Sequence, residues 1–173
     1  MFFYCDKQVI EYEKHFKWDC VLSYLEQLYS ECNKNDILNA LVGYSWYYLI
    51  EGPVISGKYA EDDNVNALDV WKKYIDIGIH AAKDDPSFLF IAGYTLSLHG
   101  FLIGAEYEQT GSHLLRECLA LSKCTMTCEL ARSIINNENA SHYLLPGNGK
   151  EICLNLFGCE SMLSEYFTEI FAA

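Results

Sequence analysis

Apolar and polar residues follow one another along this chain with two different rhythms, and the contrast between them defines its elements. Over residues 65–83 the apolar side chains Leu68, Trp71, Ile75, Ile79 and Ala82, with Gly78, recur at steps of three and four, which places them on one face of an α-helix. Lys72, Lys73, Asp76, His80 and Lys83 then take the wet face. Asp84-Asp85-Pro86 stops this helix and starts the next, because aspartate accepts from free backbone N–H groups at a helix start and proline is at home in the first turn. The stretch that follows, 87–103, carries no formal charge unless His99 is protonated. A helix that is apolar on every side must be covered on several of them, so this segment is predicted to be the spine of the fold.

The same reading extends along the chain. A short helix is predicted over 7–14 and an amphipathic one over 18–32, with Val21, Leu22, Leu25 and Leu28 as its stripe and Glu26, Gln27 and Glu31 outside. Asn33-Lys34-Asn35-Asp36 is a turn whose Asp36 can cap a second uncharged helix over 37–50, which Gly52-Pro53 is expected to end. A connector over 54–64 holds the acidic run Glu61-Asp62-Asp63. After residue 104, helices are predicted over 107–121, 124–135 and 160–171. The first two are followed by a turn-rich polar loop, 136–149, and a stretch, 151–157, that reads equally as strand or helix. The fold class is all-α, in one domain.

An internal echo runs through this array. Leu41-Val42-Gly43-Tyr44-Ser45 in the first uncharged helix corresponds to Ile91-Ala92-Gly93-Tyr94-Thr95 in the second, and each helix follows an amphipathic one containing Trp and Tyr. A small residue in a bulky helix lets a neighbour approach closely, which predicts a tight helix contact at Gly93. These features resemble helical hairpin repeats of the tetratricopeptide type over residues 18–122, with an echo longer than the usual period of about 34 residues. The connector at 54–64 accounts for the excess as an insertion. The resemblance implies an α-solenoid of helical hairpins closed by a C-terminal capping helix. An irregular helical bundle is the alternative.

Composition changes the picture mainly in what it excludes. The 173 residues are enough for one buried core, and 51% hydrophobic content argues against disorder in spite of a net charge of -12. That charge repels phosphate backbones and anionic lipid surfaces, so neither nucleic acid nor membrane is expected as a direct ligand, whereas a basic protein would be attracted. The uncharged stretch at 87–103 is shorter than the roughly 20 apolar residues of a membrane span and is flanked by acids. The N-terminal residues lack the pattern of a secretory signal. A cytoplasmic protein is therefore expected, its eight cysteines reduced and mostly buried.

Candidate chemistry is sparse. His113, Cys118, Cys124 and Cys128 are the soft ligands closest together in sequence, but their spacing matches no standard zinc pair, and Cys118 and Cys128 fall on apolar stripes. Asp76 and His80 share a solvated helix face, where an ion pair is commonplace. His99, in the apolar helix, reads as a core histidine satisfied by a carbonyl or hydroxyl. No serine or cysteine stands in a strained elbow beside a base, and no glycine-rich loop with a lysine is present. The sequence reads as a non-enzymatic protein with no metal and no cofactor.

Aromatic and acidic residues are the remaining signal. Tyr44, Tyr47 and Tyr48 point to different sides of one helix, so some are expected to line a groove that Tyr94 and Tyr107 extend; core packing is the alternative for each ring. Glu61, Asp62, Asp63, Glu106 and Glu108 add a negative field for a basic partner. In size, charge and lack of a catalytic motif the chain is similar to immunity proteins of bacterial toxin systems, including those of contact-dependent inhibition. In that group an acidic protein covers the nucleic-acid site of a cationic nuclease. The resemblance implies a monomer that forms a one-to-one complex with a toxin nuclease domain. Two other functions fit the same sequence: a tetratricopeptide-like adaptor or chaperone that binds peptides, and a small metal- or thiol-dependent enzyme.

Overall fold

The computed structural model describes residues 2–56, 66–136 and 161–172, and the description below is confined to them. They form eight α-helices and no strand. These are α1 (Lys7–Lys14), α2 (Trp18–Cys32), α3 (Asn35–Ser56), α4 (Ala67–Ala81), α5 (Pro86–His99), α6 (Ala105–Leu121), α7 (Thr125–Ile135) and α8 (Met162–Ala172), with a 3-10 turn at Gly100–Leu102. No helix among them is long and apolar enough to cross a membrane. The polar loop and the ambiguous stretch expected over 136–157 lie, beyond Asn136, outside the described residues.

Three helix starts carry side-chain caps of the expected kind, whereas α3 begins at Asn35, so Asp36, expected as its cap, lies inside its first turn. Asp6 caps α1, its Oδ1 accepting from the backbone N–H groups of Gln8 and Val9 at 3.0 Å each. The Oδ2 of the same carboxylate accepts from the hydroxyls of Tyr4 and Tyr24. Asn66 caps α4 and Asp85 caps α5, whose first residue is Pro86.

Two helix ends differ from expectation. Gly52-Pro53 does not stop α3, which continues to Ser56. Gly52 is buried beneath the ring of Tyr48, where a Cβ would collide with it, so packing holds the helix through a residue pair of poor propensity. The apolar helix, in turn, ends at His99 and tightens into the 3-10 turn before Gly104, whose φ of 147° breaks the helical path.

α3 and α5 form the centre. They lie against each other with their starts together: Asn35 Nδ2 donates to Asp85 Oδ2 at 2.7 Å, a pair 50 residues apart in sequence. Farther along, the ring of Trp46 meets those of Tyr94 and His99. The two helices therefore run parallel, and the echo between Gly43-Tyr44 and Gly93-Tyr94 is a register shared by neighbours. Every residue from Phe88 to Leu96 is buried, as the uncharged sequence requires. α6 packs on α5 in the opposite direction, with Gly93 facing Leu115, Gly111 facing Ser97, and the Cys118 thiol donating to the Pro86 carbonyl.

On the outer side of α3, Trp18 of α2 stacks on Tyr48 with ring centroids 5.6 Å apart. α4 is tied to α2 by Glu26 Oε1, which pairs with Lys73 Nζ at 2.7 Å and accepts from the Tyr74 hydroxyl. α8 lies across α3, its Leu163 against Gly43 and its Phe167 against Trp46, and its far end reaches α5 through Phe171 and Phe90. The six described cysteines are free thiols, and of these only Cys118 is fully buried. Cys32, the last residue of α2, and Cys124, which precedes α7, are exposed among the described residues, which corrects the expectation of mostly buried thiols.

Candidate functional site

The cleft that joins aromatic walls to carboxylates lies between α3 and α8. Tyr47 and Glu51 stand one turn apart on α3, and Met162, Glu165, Tyr166 and Glu169 recur at steps of three and four on α8, so each helix offers one face. Together these six residues line a cleft of about 430 Å³. All three of its formally charged groups are acidic.

Its geometry is held from beneath and from one end. Glu13 of α1, itself 2% exposed, accepts from the backbone N–H of Met162 at 3.1 Å, which sets a carboxylate on the positive end of α8. Ser161 Oγ accepts from Ser164 N in the same turn. The Tyr47 and Tyr166 rings meet edge-on with centroids 5.4 Å apart, and Trp46 backs Tyr166 at 5.5 Å. Tyr47 is also edge-on to Trp18, so its ring is gripped from two directions. Burial pushes the Tyr47 phenol far above its ordinary range, and the negative charges of Glu51, Glu13 and Glu165 push it the same way, which keeps it protonated. Burial, and then the charge of Glu51, also raise Tyr166.

The groove expected from the tyrosines is mostly core. Tyr44 and Tyr48 are each 1% exposed and Tyr94 is 5% exposed, its ring enclosed by Trp46, Phe90, Phe167 and Phe171. α3 packs against α2, α4, α5 and α8, and α5 against α3, α6 and α7, so these three rings are enclosed in the core, and the open part of α3 is the side that carries Tyr47 and Glu51. Tyr47 is nearly as buried but lines the cleft with one edge.

Tyr107 faces elsewhere. Its hydroxyl donates to Asp76 Oδ1 at 2.6 Å, and Lys72 Nζ lies 5.6 Å from its ring centroid, so it ties α6 to α4. The bond to Asp76, followed by burial, pushes its phenol up to about 12. Glu106 is exposed beside it. Glu61, Asp62 and Asp63 lie outside the described residues, as does the side chain of Glu108.

The other chemical candidates are placed as follows. Among the described residues no group of three or more His, Cys, Asp or Glu could hold a metal ion. His113 pairs with Glu117 at 3.3 Å on the surface of α6, while the thiols of Cys118 and Cys128 donate to the carbonyls of Pro86 and Ser122. Burial pushes the Cys118 thiol up to about 12. His80 is exposed, and Asp76 pairs with Tyr107. His99 accepts at Nδ1 from the Trp46 indole N–H at 3.1 Å, so its core partner is an indole and not a carbonyl or hydroxyl. Burial lowers its pKa, opposed in part by Glu51.

Glu51, Glu165, Tyr166 and Glu169 were not among the residues expected to bind. Their signal was present as Glu165 and Glu169 spaced by one turn on the last helix, yet nothing in the sequence says that this face meets Tyr47. No known protein family, curated protein or solved structure compared with the chain matches it.

Proposed function

We propose that this chain is a stoichiometric binding protein that neutralises a basic protein partner, as an immunity protein does for a cognate bacterial toxin of the nuclease type. The observation that carries the reading is the aromatic-walled cleft between α3 and α8, where Glu51, Glu165 and Glu169 stand in a chain of net charge -12. A cationic surface is drawn to such a field over a distance and then finds rings to pack on once it arrives. The acidic connector Glu61-Asp62-Asp63, with Glu106 and Glu108, contributes to the same attraction and acts mainly on the association rate.

The parallel, register-matched pair α3 and α5 favours a second reading, a tetratricopeptide-like adaptor in which successive hairpins hold a peptide. The two are separated by the partner's state. A neutralised toxin is bound folded and loses activity, whereas an adaptor holds an extended segment of an active protein.

A basic toxin domain is expected to be encoded beside this chain, and the test is first its presence there and then its inhibition. One equivalent should abolish its nuclease activity, and replacing Glu61, Asp62 and Asp63 by Ser should slow association at low salt by about tenfold with the melting temperature unchanged. A neighbouring toxin domain that stays fully active in an excess of this protein refutes the proposal.

A further inference from the structure

The cleft between α3 and α8 has the chemistry of a receptor for one particular kind of cation. Its three carboxylates come from two helices, Glu51 on α3 and Glu165 and Glu169 on α8, and Glu165 and Glu169 are exposed. They do not converge closely enough for a metal ion. What suits separated acceptors is an extended cation with several N–H donors.

Tyr47 supplies an independent pointer. Its side chain is 5% exposed and it lines the cleft, yet among the described residues its hydroxyl has no hydrogen-bond partner. Glu51 stands one turn from Tyr47 on the same face of α3, and both line the cleft together with Glu165 and Glu169. The Tyr47 hydroxyl opens on the cleft and has an acceptor position available there, so an N–H donor entering the cleft can bond to it. Tyr166, edge-on to Tyr47 and half-buried, gives the opposite wall a ring for a flat cation to lie against. Met162 closes one end with an adaptable apolar side chain.

We propose that this cleft receives an arginine side chain of the protein partner, the guanidinium bridging Glu51, Glu165 and Glu169, donating to the Tyr47 hydroxyl and lying against the Tyr166 ring. Guanidinium is planar, carries five N–H donors in a fixed fork and stacks on aromatic faces. The ammonium of lysine is a compact and strongly hydrated point charge without the planar fork that spans separated acceptors. The inference rests on the reading of the chain as a binder of a basic protein and names the residue by which that partner is held.

The experiment needs no knowledge of the partner. A tetra-arginine peptide is titrated into the full chain by calorimetry at low and at physiological salt, with tetra-lysine for comparison. The arginine peptide should bind one-to-one and about fivefold or more tighter than the lysine peptide at physiological salt. The double variant Glu165→Gln with Glu169→Gln should weaken it by about tenfold, and Tyr47→Phe, which removes only the hydroxyl, by about threefold. Both glutamates are exposed, so the melting temperature should hold. Glu11→Gln with Glu31→Gln removes the same charge from exposed positions on α1 and α2, and should weaken binding by less than about twofold.

Equal weakening by the two double variants overturns the proposal, because net charge alone would then hold the peptide. Equal affinity for the two peptides overturns it as well, and so does the absence of binding. If the cleft binds arginine as stated while the toxin domain encoded beside the chain stays active, the arginine site stands and the functional reading falls.

Discussion

Replacing Gly111 by alanine tests how closely α5 and α6 are pressed together. An alanine Cβ at this position would lie 2.5 Å from the backbone nitrogen of Ser97 and 2.9 Å from the carbonyl carbon of Leu96. Both neighbours are backbone, so no rotamer change can make room and the two helices must separate. Alanine is favoured over glycine in a helix interior by about 1 kcal/mol, and overpacking costs about 1–3 kcal/mol, here at the upper end because the obstacle is rigid. The difference is a loss of about 1–2 kcal/mol, which in a chain of this size lowers the melting temperature by about 2–8 °C. Gly43→Ala is the control. Its Cβ would meet Leu163 Cδ2 at 2.9 Å and Phe3 Cε1 at 3.0 Å, both at the ends of side chains that can give way, so the propensity gain offsets most of the clash. Thermal melts followed by far-ultraviolet circular dichroism compare the two variants with the parent. A Gly111→Ala protein that melts at or above the parent, or loses less than Gly43→Ala, would refute the reasoning.

Two further predictions concern pH. Burial of Asp6 opposes its ionisation, but hydrogen bonds from the Val9 N–H, the Tyr24 and Tyr4 hydroxyls and the Gln8 N–H outweigh it and hold the carboxyl below its ordinary value of 3.8. The stability this provides is complete above that value and is lost as pH falls through the folded-state pKa, so Asp6→Asn should lower the urea midpoint near neutrality and flatten the acid limb. An unchanged acid limb in the variant would assign the effect to other carboxylates. His99 is a base lowered from 6.5 by burial, so below that pH the unfolded chain takes up the proton first and stability declines until the folded-state pKa is passed. Because protonation of the folded state removes the acceptor for the Trp46 indole, a change in tryptophan fluorescence should mark the lower pH at which the decline ends, and both should be absent in His99→Gln.

Sequence periodicity was enough to place α1, α2, α4 and α7 nearly to the residue, because each has one polar and one apolar face and a recognisable start. It also identified the second uncharged helix as the spine and Gly93 as a point of close approach, where a Cβ would lie 2.8 Å from Leu115 Cγ. The physical reason is that burial on all sides leaves its mark in composition, whatever the neighbours are. For the same reason the sequence misled about Tyr44, Tyr48 and Tyr94. A ring with a polar tip reads alike in a core and in a groove, and only the packed neighbours decide between them: α2, α4, α5 and α8 around α3, and α3, α6, α7 and α8 around the helix of Tyr94.

Gly52-Pro53 shows the same limit in the backbone. Local propensity ends the helix there, and the Tyr48 ring over Gly52 carries it on to Ser56. The cleft belongs wholly to tertiary structure: Tyr47 and Glu51 are more than a hundred residues from Glu165, Tyr166 and Glu169. Period fixes which side chains share a face of one helix. Which two faces meet depends on contacts such as Glu13 with the start of α8 and Leu163 against Gly43, and these are selected by shape and charge across the folded chain, where no local pattern records them.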